Sequence, residues 1–514
     1  MPPLPSLPSH LSSLFISNVF RPSSSLLPLT SPSSSLIYSS SSSSSSSDVN
    51  QAIQAARKAF DGEWKGWGPS KRGSLLNKLA DFIERDGEYL SELEALEIGK
   101  PKHIAIKSDI ASSAALFRYY AGFADKLHGE TIPLNSNHLC FTKKEPVGVC
   151  ALILPWNFPL PALAVKVAPA IAAGCTVIVK PAEESPVTAM KFAEYVLEAG
   201  FPPGVINIIP GKGEVAGNFS PTQQKLFVLN FYFLGQALIE SPDVDKIAFT
   251  GSTATGLHIL RSSTFSSLKR FSFELGGKSP LIILPDADVE TAVNTAIGAV
   301  FFNTGQICVA GSRLFLPRSL LPSFLSLLRS LLPTKTIGCP FDPNTNFGPL
   351  ISKAQKDKFL AYVQKGVAEG AKLEYGGRDL SLRTVNDIPG HRDPNGFYVE
   401  PAVFSGVEDH MSIAKEEIFG PLMSILTYET VDEVIERANK TNFGLCAGVL
   451  GKKTSDLLKI SNGLKCGTVW LNCYGYFEPG TPFGGWKDSG LGKEHGREGV
   501  ESFMVGKTVI MNGD

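Results

Sequence analysis

Apolar residues recur at helical spacing from Asp48 onward. Val49, Ile53, Ala56 and Phe60 share one face of a helix that Asp48 is placed to cap, and Leu75, Leu79, Phe82 and Ile83 mark a second. The polar positions between them predict surface helices lying over a sheet. From Val147 the pattern changes to short apolar runs alternating with helical stretches, as in parallel βαβ units. Val147 to Leu154 and Thr176 to Val179 read as buried strands. Ser185-Pro186 caps a helix running to about Ala199, and Lys246 to Thr250 is another strand. Asp286 and Asp288 read as helix caps. The alternation continues to about residue 490 without an internal repeat, and residues 502–511 form a last strand suited to edge pairing. The predicted class is α/β.

Residues 1–47 do not share this pattern. They are rich in Pro and Ser, end in Ser39 to Ser47 and contain no acidic side chain, so they are expected to bury too little apolar surface to fold and to form a disordered tail. An acid-free, Ser-rich start also suits an organellar transit peptide, although Arg21 is its only arginine. A cytoplasmic location and a mitochondrial matrix location therefore both stay open.

At 514 residues the chain is long enough for more than one hydrophobic core. With 43% hydrophobic residues and 48 basic against 49 acidic side chains, nothing points to nucleic acid or to a polybasic membrane contact. No apolar run reaches the roughly 20 residues that span a bilayer. The eight cysteines form no CxxC pair, which argues against a zinc site or a disulfide framework and for a reducing compartment. No metal site is expected.

Candidate chemistry gathers at strand ends, where ligands bind in open α/β sheets. Lys180 follows one strand and stands close to Glu183. Lys246 to Thr250 runs into Gly251-Ser-Thr-Ala-Thr-Gly256, a turn opening a helix, where backbone N–H groups and the Ser252 hydroxyl can meet a phosphate. The glycines Gly211, Gly213 and Gly217 form a weaker cluster, since no strong strand leads into them. Glu274, before two glycines, can sit in a desolvated cleft with its pKa raised toward that of a general base. Cys308 follows a Gly-containing turn behind the apolar run Ala296 to Phe302. A buried structural thiol is the commoner fate of such a cysteine, and only a partner base and a cofactor site elsewhere make it a nucleophile.

Six motifs in one order decide between those readings: Pro155-Trp-Asn-Phe-Pro159, Phe249-Thr-Gly-Ser-Thr253, Glu274-Leu-Gly-Gly277, Gly305-Gln-Ile-Cys308, Glu416-Glu-Ile-Phe-Gly-Pro421 and Pro482-Phe-Gly-Gly485. From about residue 48 to its end the chain resembles the NAD(P)-dependent aldehyde dehydrogenase superfamily, closest to the broad-specificity, non-acylating enzymes. The resemblance implies a Rossmann-like cofactor domain (48–127 and 147–275), an α/β catalytic domain (276–490) and a small β oligomerisation flap (128–146 and 502–511) that makes homodimers or homotetramers. It implies Cys308 as nucleophile, Asn157 as oxyanion donor and Glu274 as the base that activates water. NAD is the implied cofactor: Trp156, Lys180, Glu183, Gly251, Ser252, Gly256, Glu417 and Phe419 would contact it, with Glu183 disfavouring a 2′-phosphate. Phe158, Val165, Phe477 and Phe483 would wall an aldehyde tunnel, which Val165 widens because some relatives carry Trp there.

Two departures from the family pattern stand out. The Ser/Pro tail replaces the strands that usually precede the first helix, and residues 218–234, with the apolar window Leu226 to Leu234, read as an insert near the adenine side of the cofactor site. Translated non-coding sequence would account for the insert. The competing readings are a catalytically impaired or non-enzymatic relative, because of that insert, and an enzyme passing its thioester to coenzyme A, against which Glu274 argues.

Overall fold

The computed structural model describes residues 5–23, 25–212, 234–263, 267–381, 390 and 392–513. Two large sheets carry the chain. The first has eight strands in the order Gly490–Leu491, Arg270–Glu274, Lys246–Thr250, Val149–Ile153, Thr176–Lys180, Ile206–Ile208, Ser13–Ile16 and Val19–Pro22. Five of its six inner strands run parallel, and Ser13–Ile16 is antiparallel. Val149–Ile153 and Thr176–Lys180 are buried along their whole length, which is why they read as unbroken apolar runs. Helices Pro69–Arg85, Pro159–Ala173 and Val187–Ala199 pack on one face; Ser46–Asp61, Leu234–Glu240 and Thr253–Ser263 pack on the other.

The second sheet has seven strands in the order Lys372–Gly376, Ala402–Ser405, Leu422–Tyr428, Arg313–Pro317, Pro280–Ile283, Cys446–Leu450 and Thr468–Leu471. All its pairings but the first are parallel. A three-stranded antiparallel sheet joins Met504–Met511, Leu139–Pro146 and Thr131–Ile132, so the last strand pairs as the sequence predicts and, among the described residues, leaves its other edge open.

The N-terminal segment is not a disordered tail. Residues 13–42 hold four strands, two of which, Leu26–Thr30 and Ile37–Ser42, form a hairpin with Leu27 opposite Ser41. Ser13–Ile16 adds to the first sheet, with Phe15 opposite Ile208, and Leu14, Phe15 and Ile16 are all buried. Three apolar residues suffice because an existing sheet edge supplies their backbone partners, a saving that composition alone does not register. The hairpin tip also reaches the other half of the molecule, where the Pro32 carbonyl accepts from the Phe397 N–H at 3.0 Å.

Two caps differ from expectation in a similar way. The first helix starts at Ser46, with Ser45 as its N-cap and Asp48 closing a capping box from the third position. Helix Val187–Ala199 has no cap from Ser185. The buried carboxylate of Glu97 accepts from the N–H groups of Val187 (2.8 Å) and Thr188 (3.3 Å) instead. The strand Ile206–Ile208 does precede Gly211 closely. The glycine cluster beyond Lys212, and the insert 218–234 up to Phe233, lie outside the described residues.

Candidate active site

The carboxyl ends of Val149–Ile153, Thr176–Lys180, Lys246–Thr250 and Arg270–Glu274 open into one cleft of about 440 Å³, lined also by Cys308, Glu417 and Phe419 from the other half of the chain. Trp156, Asn157, Lys180, Glu183, Gly251, Ser252 and Glu274 line it as well, so ten of the sequence-predicted residues meet there.

Cys308 sits beyond helix Val289–Phe301 on a loop made rigid by its own chain. Asn303 and Thr304 adopt left-handed backbone, and Gln306 fastens the loop through its side chain, accepting from the Ile351 N–H at 2.8 Å. Gly305 has φ +71° and a side chain there would collide with the backbone at Gly420 and Pro421, so only glycine allows that approach. Asn157 is buried and donates through Nδ2 to the Gln306 carbonyl at 2.9 Å; Asn303 donates to the Asn157 carbonyl at 3.2 Å. An amide nitrogen carries two N–H groups, so one remains to point at a developing oxyanion.

Cys308 keeps part of its surface open to the cleft. Burial pushes its thiol well up, and Cys446, Glu417 and Glu274 add to the effect. The resting side chain is therefore a thiol and needs a base. Glu274 is 4% exposed, and its carboxyl is pushed well above the usual range by burial first and Glu494 second, with Lys166 and Lys493 opposing. Its Oε2 is buried with no protein hydrogen-bond partner. Such an orphan oxygen is expensive in a packed interior and suits a group whose partner arrives during a reaction.

Behind Glu274 lies an ion pair that sequence reasoning missed. Lys166, on helix Pro159–Ala173, binds Glu494 from the segment after Gly490–Leu491. The two are far apart in the chain, and a lysine inside an apolar helix carries no local signal beyond its oddity.

On the cofactor side, Gly251 donates its N–H to the Glu274 carbonyl at 3.0 Å, and the Ser252 hydroxyl accepts from the Thr255 N–H at 3.1 Å, capping helix Thr253–Ser263. Lys180 is buried, and that burial lowers its pKa. Glu417 accepts from the Gly277 N–H at 3.0 Å, and burial raises its carboxyl. Trp156 and Phe419 meet edge to face at 5.4 Å. Gly256 does not line the cleft; it lies buried where a side chain would strike Leu275. It packs its helix against the Leu275 side chain.

A family model, the aldehyde dehydrogenase family, matches residues 20–509. The chain belongs to the aldehyde dehydrogenase family. Human retinal dehydrogenase 2 is 44% identical over 513 residues, covering 99% of this chain and 93% of that one. The mitochondrial aldehyde dehydrogenase of Mesocricetus auratus is 43% identical, covering 97% and 94%. Among solved structures, the NAD+ complex of aldehyde dehydrogenase from Bacillus cereus superposes with a TM-score of 0.89 at 38% identity, covering 97% of this chain and 96% of that one.

The four expected wall residues of this aldehyde dehydrogenase do not line the cleft and fall in separate groups. Phe477 and Phe483 pack edge to face at 5.2 Å, and Phe483 belongs to the apolar cluster against which Cys308 packs. Phe158 stacks on Phe302 at 6.4 Å, under the Lys100 ammonium at 3.7 Å. Val165 is buried in the core of the first half. Among the described residues, no helix is long and apolar enough to cross a membrane.

Proposed function

We propose that this NAD-dependent aldehyde dehydrogenase turns aldehydes into carboxylic acids with Cys308 as nucleophile and Glu274 as base. The observation that carries the assignment is the orphan Glu274 Oε2, in the same cleft as a thiol that burial keeps protonated. Above its raised pKa Glu274 is ionised and accepts the Cys308 proton, and the thiolate adds to the aldehyde carbon. The oxygen of the adduct takes hydrogen bonds from the free Asn157 N–H and the Cys308 backbone N–H. NAD supplies the acceptor for the hydride that leaves the adduct. Glu274 passes the first proton to solvent and, ionised again, takes a proton from water, which attacks the resulting thioester; that proton goes to the departing sulfur, releasing the acid and the thiol. A base of this kind favours hydrolysis over transfer to coenzyme A.

The cleft fits the cofactor. It has a helix N-terminus at Gly251 and Ser252, a buried lysine, and the acidic residues Glu183 and Glu417, of which Glu183 disfavours a 2′-phosphate. Lys180 and Glu183 hold the adenosine ribose, Glu417 the nicotinamide ribose, and Trp156 and Phe419 flank the nicotinamide region. Residues 48–127 and 147–275 serve as the cofactor domain and 276–490 as the catalytic domain. Phe158, Val165, Phe477 and Phe483 wall the approach of the aldehyde.

The open edge of Met504–Met511, with Ile510 and Met511 exposed, favours a homodimer or homotetramer built on residues 128–146 and 502–511. All eight cysteines are free, which suits the cytoplasm or the mitochondrial matrix. The deciding experiment follows NADH formation with short, long and aromatic aldehydes. Turnover is expected in the wild type and absent in Cys308→Ala; undiminished turnover in that variant would remove Cys308 from the mechanism.

A further inference from the structure

His495 is a half-buried imidazole that the chemistry above does not use. Its ring lies 6.4 Å from those of both Phe477 and Phe483, tilted 30° to the first and 84° to the second. Phe477 is 40% exposed, so this aromatic group opens to solvent on one side, while Phe483 joins the cluster against which Cys308 packs. The Nδ1 atom of His495 is buried and has no protein hydrogen-bond partner. Buried ring nitrogens are ordinarily satisfied, and a leucine would fill the same space without an orphan polar atom.

The backbone tells the same story. His495 has φ 60° and ψ 170°, a region that glycine alone enters freely. Its neighbours hold it there. Glu494 exchanges both backbone hydrogen bonds with Phe483, at 2.7 and 2.8 Å, and the Gly496 N–H is bound by the Pro479 carbonyl at 2.8 Å. Glycine would suit residue 495, yet the chain places an imidazole there. The side chain is held in one place by a conformation that disfavours it, an arrangement found where a ligand is gripped.

We propose that His495 is a specificity-determining residue of the aldehyde tunnel, where it hydrogen-bonds a hydroxyl substituent on an aryl aldehyde. The inference rests on Phe477 and Phe483 walling that tunnel. Two phenyl rings suit a flat aromatic body, and the imidazole supplies the one polar contact beyond them. Burial lowers the His495 pKa against the opposing charge of Glu494, with Lys166 also lowering it, which favours the neutral ring. A neutral imidazole offers one donor and one acceptor, and a phenol matches either.

The test compares kcat/KM for 4-hydroxybenzaldehyde and 4-methylbenzaldehyde with NAD, in the wild type, His495→Leu and His495→Gly. The two aldehydes match in size, and taking the ratio across variants cancels their intrinsic reactivity. Glycine fits the backbone, so that variant folds even if the leucine variant does not. In both variants the hydroxy-to-methyl ratio is expected to fall about tenfold, through KM, as for one lost hydrogen bond. A ratio unchanged from the wild type in His495→Gly would overturn the proposal. The ratio reads His495 alone, whereas the absolute rate of NADH formation and its loss in Cys308→Ala read the catalytic assignment, so the two can fail separately.

Discussion

Asn157 donates to the carbonyl of Gln306, two residues before Cys308, at 2.9 Å. The amide comes from the turn after one strand of the first sheet, and the carbonyl belongs to the loop that delivers the thiol from the second half. One hydrogen bond thus ties the proposed oxyanion donor to the loop of the proposed nucleophile. Asn157→Ala removes both functions of the amide. It is expected to lower kcat by roughly 10²–10³-fold, the usual cost of one oxyanion donor. NAD affinity, followed by fluorescence titration, should change little.

Gly305→Ala tests the same loop from the other side. The added carbon meets the Gly420 backbone and the residue has φ +71°, so the loop has to move and carries Cys308 with it. Activity is expected to fall at least tenfold while the fold survives, with slower alkylation of the thiol by iodoacetamide as an independent readout. An alanine variant with full activity would show that the close approach to Gly420 does not position the thiol.

How much of this was legible in the sequence differs by element. Val149–Ile153 and Thr176–Lys180 could be read directly because strands buried on both faces are apolar throughout. Cys308, Glu274 and Asn157, which share one cleft, were singled out through motifs, since nothing near the cysteine distinguishes it from a core thiol. Ser13–Ile16 was hidden because its partner, Ile206–Ile208, lies far along the chain and the serines around it dominate the composition. Lys166 with Glu494 and Glu97 with helix Val187–Ala199 were hidden for a related reason: each pairs residues that only the fold brings together. Long-range polar partners leave no periodicity to read.

The N-terminal strands carry a stability prediction. Phe15 is fully buried and packs against Phe20 at 5.1 Å, so Phe15→Ala should cost about 3–5 kcal/mol, with a lower thermal midpoint. An unchanged midpoint would return residues 13–22 to the status of a tail.

Lys166→Met removes the cation of a pair whose side chains are 1% and 11% exposed. Leaving Glu494 unpaired is expected to cost about 3–5 kcal/mol. It should also move the acid limb of the pH–rate profile upward, because Lys166 opposes the rise of the Glu274 pKa and Glu494 drives it. Glu494→Gln should move that limb down. Movement of both variants in one direction would separate Glu274 from this pair.

Glu274→Gln brings activity and stability together. Without the carboxylate the thioester is hydrolysed slowly, so an acyl-enzyme should accumulate and be trapped on Cys308 by mass spectrometry, with steady-state turnover down by roughly 10²-fold or more. The stability effect has the opposite sign. Burial raises the Glu274 pKa in the folded state, so between its unfolded and folded values the native protein binds the extra proton, and stability falls as pH rises through that window. Glutamine has no proton to lose. The variant should therefore match the wild type near pH 4 and exceed it in thermal midpoint above the folded pKa. Wild-type stability that rose through the same window, with no gain in the variant, would mean that Glu274 is not held in the protonated form by its site.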